Sequence, residues 1–176
     1  MAAHEAGLVQ HGTDIRIRYG TASDIDALLA LERNVFATDC MSRKSLRRFL
    51  SVPTAVVLIA QLQDSQTAVA GCAVLLLRAS TPEMARLYSL AVDPAHEGFG
   101  IGPQLLKACE ESARTHGRVQ IRLEVHENNA RAITLYRKEG YAEFGRRVGY
   151  YKDLGDALRF RKLLSGASPA MTPKIT

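Results

Sequence analysis

Glycine occupies three alternate positions, 98, 100 and 102, in the stretch AVDPAHEGFGIGPQLLKACEESA (91–113), between an apolar run and a helical pattern. A strand that runs into a glycine-rich turn and then a helix N-terminus aims several backbone N–H groups, and the positive end of the helix dipole, at one point. A Cβ there would hold an anion away, and turn positions often need the positive φ that glycine adopts freely. The passage therefore predicts a strand, turn and helix arranged as a phosphate cradle, with a plain tight turn as the alternative.

The flanking patterns supply the rest of a fold. IRIRYG (15–20) alternates apolar and basic residues like a half-buried strand. TASDIDALLALERNVF follows with Ile25, Leu28, Leu29 and Leu31 at helical spacing, and Thr21 or Ser23 can cap it. SRKSLRRFL predicts a second short helix that ends before Pro53. Two β-rich runs, TAVVLIAQL and TAVAGCAVLLLR, flank the polar QDSQ as in a hairpin, and MARLYSLAVD leads into the glycines. GPQLLKACEESARTHG then sets Leu105, Leu106 and Cys109 on one helical face, with Pro103 as the first helical residue and Gly117 as the stop. RVQIRLEVHE alternates Val119, Ile121, Leu123 and Val125 against Gln120, Arg122, Glu124 and His126, so its two faces differ chemically. NNARAITLYRKEG places Ala132, Ile133 and Tyr136 at helical spacing, with Asn128 or Asn129 as cap and Gly140 as its end. Two last strands, near 141–150 and 156–164, complete one domain over 15–164, and the extensions 1–14 and 165–176 read as mobile ends.

Phosphate-binding patterns can now be compared. A Walker loop needs GxxxxGK[ST], and no such lysine follows these glycines. The dinucleotide fingerprint GxGxxG meets Pro103 or Leu105 where its third glycine belongs; Glu124, about twenty residues on at a strand end, imitates its ribose-binding acid and keeps that reading as an alternative. LAVDPAHEGFGIGPQLL followed by LEVHENNARAITLYRKEGY, by contrast, resembles the GNAT superfamily of N-acetyltransferases across about Ile15 to Leu164. Within it, LEV, NNARAITLY, GY and GYYKDLGDALRF are most similar to the bacterial ribosomal-protein-alanine N-acetyltransferases.

The resemblance implies an α/β (α+β) fold: a mixed, mostly antiparallel sheet of about seven strands, splayed between the fourth and fifth and flanked by about four helices. It implies acetyl-coenzyme A as cosubstrate, held by Gly98, Phe99, Gly100, Ile101, Gly102, Pro103 and Asn129 and by backbone groups of Leu90, Ala91 and Val92. One of those backbone N–H groups would polarise the thioester. Glu124 takes the place of the general base and Tyr136 that of the general acid. For each a structural role competes: an ion pair for Glu124, a core position for Tyr136, helix capping for Asn129. Tyr150 and Tyr151 could line an acceptor pocket, and His126 is a second candidate base without a motif behind it.

One departure bears on the coenzyme. The superfamily pattern Q/R-x-x-G-x-G has Gln or Arg three residues before its first glycine; with Gly100 and Gly102 as the pattern's glycines, Glu97 stands there, and Phe99 stands where a basic residue is common. A carboxylate close to a diphosphate is unfavourable unless it points to solvent, so main-chain donors carry more of the grip. The departure also keeps open a non-catalytic acyl-coenzyme A sensor. Otherwise the acceptor is a primary amine, expected to be a protein N-terminal α-amine, with polyamines, aminoglycosides or amino acids as competitors. An α-amine with a pKa near ~8 asks less of the base than a lysine-type amine near ~10.

Composition narrows the setting. A chain of 176 residues, 47% apolar, suffices for one cored domain. The +5 net charge admits an anionic ligand, but the absence of Trp and the scarcity of stacking aromatics argue against nucleic acid. Three scattered cysteines suggest neither a disulfide framework nor a metal site, and five histidines show no HExxH spacing, so no metal is expected. No secretory signal or membrane span is recognised, so the expected setting is cytoplasmic. A monomer or homodimer is expected.

Overall fold

The computed structural model describes residues 15–62, 69–78 and 80–164; the QDSQ link and both extensions lie outside them. In chain order the elements are β1 (Ile15–Tyr19), α1 (Ile25–Val35), α2 (Arg43–Ser51), β2 (Ala55–Leu62), β3 (Val69–Leu76), β4 (Met84–Val92), α3 (Ile101–Thr115), β5 (Gln120–His126), α4 (Ala130–Lys138), β6 (Ala142–Arg147) and β7 (Ala157–Leu163). The seven strands form one sheet in the order β1-β2-β3-β4-β5-β7-β6. Every neighbouring pair is antiparallel except β4 with β5. That pair is joined through α3, the long crossover a parallel connection requires.

Each face of the sheet carries a core. On one, Leu105, Leu106 and Cys109 of α3 and Ile133 and Tyr136 of α4 pack against Leu58, Leu87, Leu123 and Phe160. On the other, Leu28 and Leu46 of α1 and α2 pack against Ile59, Cys72, Val74 and Ala91. Strands covered on both faces need apolar residues at consecutive positions, which is why β2 and β3 read as unbroken apolar runs. β5 is covered by helices on one face, so it keeps a two-residue alternation.

Local boundaries differ from the sequence reading at three points. Thr21 is the N-cap of a short 3-10 turn, Ala22–Asp24, and α1 follows with Asp24 at its own N-cap position, because that turn intervenes. α3 begins at Ile101 with Gly100 as N-cap in the left-handed region. Pro103 therefore sits within the first turn, where its missing N–H would have no intrahelical partner in any case. β6 stops at Arg147, so Tyr150 lies in the turn that follows.

Two irregularities shape the centre of the sheet. β3 pairs Val74 with Ser89 and Leu75 with Leu87, which leaves Tyr88 as an extra residue in β4. Such a bulge exchanges the two faces of the strand beyond it. Before it, Ala85 and Leu87 face α3; after it, Leu90 and Val92 do, while Ala91 joins the α1/α2 core. The parallel ladder between β4 and β5 runs only from Met84 with Gln120 to Leu87 with Leu123. Past it the strands part, as expected, between the fourth and the fifth.

Gly71 of β3 underlies the start of α3. A Cβ there would lie 2.8 Å from Ile101 Cγ2 and 3.0 Å from the Ala91 carbonyl oxygen. Gly71→Ala should therefore lift α3 off the sheet and lower stability by about 1–3 kcal/mol, measured by urea denaturation.

Candidate active site

The glycines of the turn serve different needs. Gly98 and Gly100 have φ of +85° and +74°. At Gly98 a Cβ would meet nothing within 4 Å, so conformation and not space demands glycine. Gly102 is the opposite case: its Cβ would sit 3.2 Å from Leu135 Cδ2, so glycine there lets α3 approach α4. The first turn of α3, whose N–H groups have no intrahelical partners, forms part of the wall of a cavity of about 460 Å³. Leu90, Val92, Gly98, Gly100, Ile101, Gly102, Pro103 and Asn129 all line it. Two of the expected contacts do not: Ala91 buries its methyl in the α1/α2 core, and Phe99 is half exposed with its ring beside His96.

Asn129 caps α4, its side chain accepting the Ala132 N–H at 3.0 Å. Capping fixes this residue at the cavity wall. Glu97, the departure noted in the sequence, forms an ion pair with Arg131 from the first turn of α4, and both line the cavity. A guanidinium thus stands beside the glycine turn although the turn itself carries none.

A second cavity, of about 710 Å³, opens where β4 and β5 part. It shares Val35, Phe36, Leu90, Asn129 and Ala132 with the first, so the two form one cleft through the splay. Glu124 and Tyr136 both line it, with Tyr150 and Tyr151 from the turn after β6. Glu124, nearly buried, accepts from Arg86 Nε at 3.0 Å and lies 3.7 Å from Arg159 Nε. Arg86 also donates to the Tyr150 hydroxyl at 2.7 Å. The ion pair and the place in the cleft coexist in Glu124.

Tyr136 is likewise both core and cleft. Its ring lies among Tyr141 and Phe160, and burial, then the nearby Cys109, pushes its pKa well above the usual phenol range. Among the described residues its hydroxyl makes no hydrogen bond, which leaves that group available to a ligand. His126 is committed elsewhere. Its Nδ1 accepts the Asn128 N–H at 3.1 Å, so the proton resides on Nε2, which donates to Asp153 at 3.0 Å.

The cleft also holds residues that sequence reasoning did not identify. Glu32 of α1 is buried; its carboxylate accepts from the Met41 N–H at 2.9 Å and the Ser89 hydroxyl at 3.3 Å, and burial raises its pKa. Asp39 and Asp153 line the same cavity. With Glu124 they give it four carboxylates against the guanidinium of Arg86, a balance that favours a cationic occupant. Arg86 gave one sequence signal, its place on the polar alternation of β4; Glu32 and Arg131 gave none.

Residues 23–141 match the profile of the family described as acetyltransferase (GNAT) family. The N-alpha-acetyltransferase RimI of Mycobacterium tuberculosis is 40% identical over 77 residues, which cover 43% of this chain and 47% of that protein. A [ribosomal protein bS18]-alanine N-acetyltransferase of Salmonella typhimurium is 40% identical over 67 residues, 38% of this chain and 45% of that one. The matched stretches thus span about half the length of these curated relatives. The crystal structure of the ribosomal-protein-S18-alanine N-acetyltransferase from Escherichia coli superposes with a TM-score of 0.76 at 24% identity, covering 90% of this chain and 99% of that one. Among the described residues no helix is long and apolar enough to cross a membrane.

The Glu97 and Arg131 pair yields a test in the smaller cavity. Glu97→Gln should release Arg131 and tighten coenzyme A binding about threefold, whereas Arg131→Gln should weaken it about fivefold, as expected for exposed charges. Isothermal titration with coenzyme A at low salt distinguishes the two.

Proposed function

The chain belongs to the acetyltransferase (GNAT) family, and on that premise we propose that it transfers the acetyl group of acetyl-coenzyme A to the α-amine of a protein N-terminus by direct attack. The observation that carries this reading is the single cleft in which the glycine turn opens toward a carboxylate and a phenol, Glu124 and Tyr136. The relatives acting on protein N-termini support the choice of acceptor.

The smaller cavity fits the coenzyme on its own chemistry. Left-handed Gly98 and Gly100 bare the main chain, and the N-terminal turn of α3 supplies donors suited to a diphosphate. Gly98, Gly100, Ile101, Gly102 and Pro103 would hold that group, with Asn129, Leu90 and Val92 along the wall and Arg131 adding a cation. When bound, acetyl-coenzyme A supplies an activated thioester. Beyond the end of the parallel ladder, the main chain of Leu90, Ala91 and Val92 has no β5 partner, and an N–H there would polarise the thioester carbonyl.

Glu124 acts as the base that makes the amine neutral, directly or through one water. Arg86 and Arg159 fix its carboxylate on the acceptor side of the splay. The amine nitrogen attacks the carbonyl carbon, the carbon–sulfur bond breaks, and Tyr136 gives its proton to the departing sulfur. A thiol of pKa near ~8.5 is a stronger acid than this buried phenol, so donation has to accompany bond breaking and not precede it. Of the two protons the amine loses, one restores Tyr136 and the other leaves to solvent.

Free-thiol release from acetyl-coenzyme A, measured against N-terminal peptides and small amines, tests the reading. Peptides should be preferred, and turnover confined to small amines would overturn the acceptor. Tyr136→Phe should lower kcat about 100-fold or more with coenzyme A affinity retained, as for loss of a general acid. Glu124→Gln should lower kcat/KM similarly, most severely below pH ~8, where the α-amine is protonated and needs the base.

A further inference from the structure

Across the α1/α2 side of the sheet, three strands contribute arginines to one transverse row. Register sets Arg86 of β4 beside Arg122 of β5, and Arg122 beside Arg161 of β7. Two residues toward the cleft, Arg159 stands opposite Glu124. The guanidiniums of Arg122, Arg159 and Arg161 gather around the Phe144 ring, 5.3, 4.6 and 5.6 Å from its centroid. Like charges directly opposite one another weaken a sheet, and one aromatic face offsets only part of that cost. Among the described residues, Glu124 is the sole carboxylate within ion-pair distance of these groups, and it reaches Arg86 and Arg159 alone.

Nothing in the helical layers relieves this charge. The α1/α2 core draws its strand residues from β2, β3 and β4, and Arg161 and the neighbouring Leu163 on the β7 surface are exposed. The row is continuous with the larger cavity, whose wall includes Arg86 and Glu124. A surface with four guanidiniums against the one carboxylate of Glu124 therefore begins at the edge of that cavity, with Arg122 and Arg161 outside any ion pair among the described residues.

We propose that this arginine row docks acidic side chains of the acceptor polypeptide a few residues beyond its N-terminus. The inference rests on the proposed function and extends it to substrate selection: the ammonium enters the carboxylate-lined cavity, and the following chain lays its acidic residues across β4, β5 and β7. Strands lie ~4.8 Å apart and an extended chain advances ~3.3 Å per residue, so acceptor positions of about three to six reach the row. A polypeptide suits this face better than single-stranded nucleic acid, because guanidiniums already cover the Phe144 ring on which a base would stack.

The test uses acceptor peptides with the same first two residues and Glu, Gln or Lys at the next four, together with the dipeptide alone. With free-thiol release at low ionic strength, the Glu peptide should exceed the Lys peptide about tenfold in kcat/KM, as several exposed ion pairs would give, and the margin should shrink as salt rises. Arg122→Gln with Arg161→Gln should reduce that margin to about twofold while leaving dipeptide turnover unchanged. Equal turnover of Glu and Lys peptides, or a margin that survives the double substitution, overturns the docking surface. So does a double variant that loses affinity for a single-stranded RNA oligonucleotide with its peptide preference intact. Absence of turnover with every peptide, beside activity on small amines, would instead remove the N-terminal acceptor itself, so the two failures are told apart.

Discussion

The parting of β4 from β5 after Leu87 and Leu123 is the constraint on which the rest of the site depends. A parallel pair that stayed closed to the strand ends would place Leu90 to Val92 in a continuous ladder and leave no passage between the sheet faces. Because the ladder stops, one cleft reaches from the glycine turn on the α3/α4 side to the carboxylates on the α1/α2 side. The Tyr88 bulge completes the arrangement by turning Leu90 and Val92 toward α3 at the same point.

Charge is distributed along that passage according to what each end has to hold. The smaller cavity has main-chain donors, with one guanidinium tied to a carboxylate; the larger has carboxylates with one guanidinium. Tyr136 lines the larger cavity one helical turn from Ala132, which both cavities share, and burial raises its pKa further above the ordinary phenol value. Glu124 can remain in so enclosed a place because Arg86 and Arg159 compensate its charge. The helix that supplies Tyr136 also supplies Arg131 and the Asn129 cap, so α4 couples the chemistry to the ligand-holding wall.

Much of this was legible in the sequence because it depends on short spacings. The glycine turn, the caps at Asn129 and Gly140, the polar face of β5 and the apolar faces of α3 and α4 all follow from neighbouring residues. The number of strands and the splay came from the resemblance and are present in the fold. What was hidden depends on register. Arg86 meets Glu124 only because Met84 aligns with Gln120, and Glu32 meets Ser89 only because the bulge reverses that strand. Arg131 was invisible for another reason: its partner, Glu97, read as a defect in a basic motif, and the compensating charge came from a different helix. Pro103 was displaced from the first helical position because left-handed Gly100 lets α3 begin earlier.

The splay has a consequence for association as well as for chemistry. Unpaired strand edges are the places where foreign chains add themselves to a sheet, and proteins usually blunt them at the periphery with charge or short length. Here the bare stretch from Leu90 to Val92 lies in the middle of a seven-stranded sheet, walled by β3 on one side and by α3 and α4 below. A recessed edge of this kind admits a slender ligand yet is closed to the broad face of another sheet, so an opening that would invite aggregation at the rim is harmless in the interior.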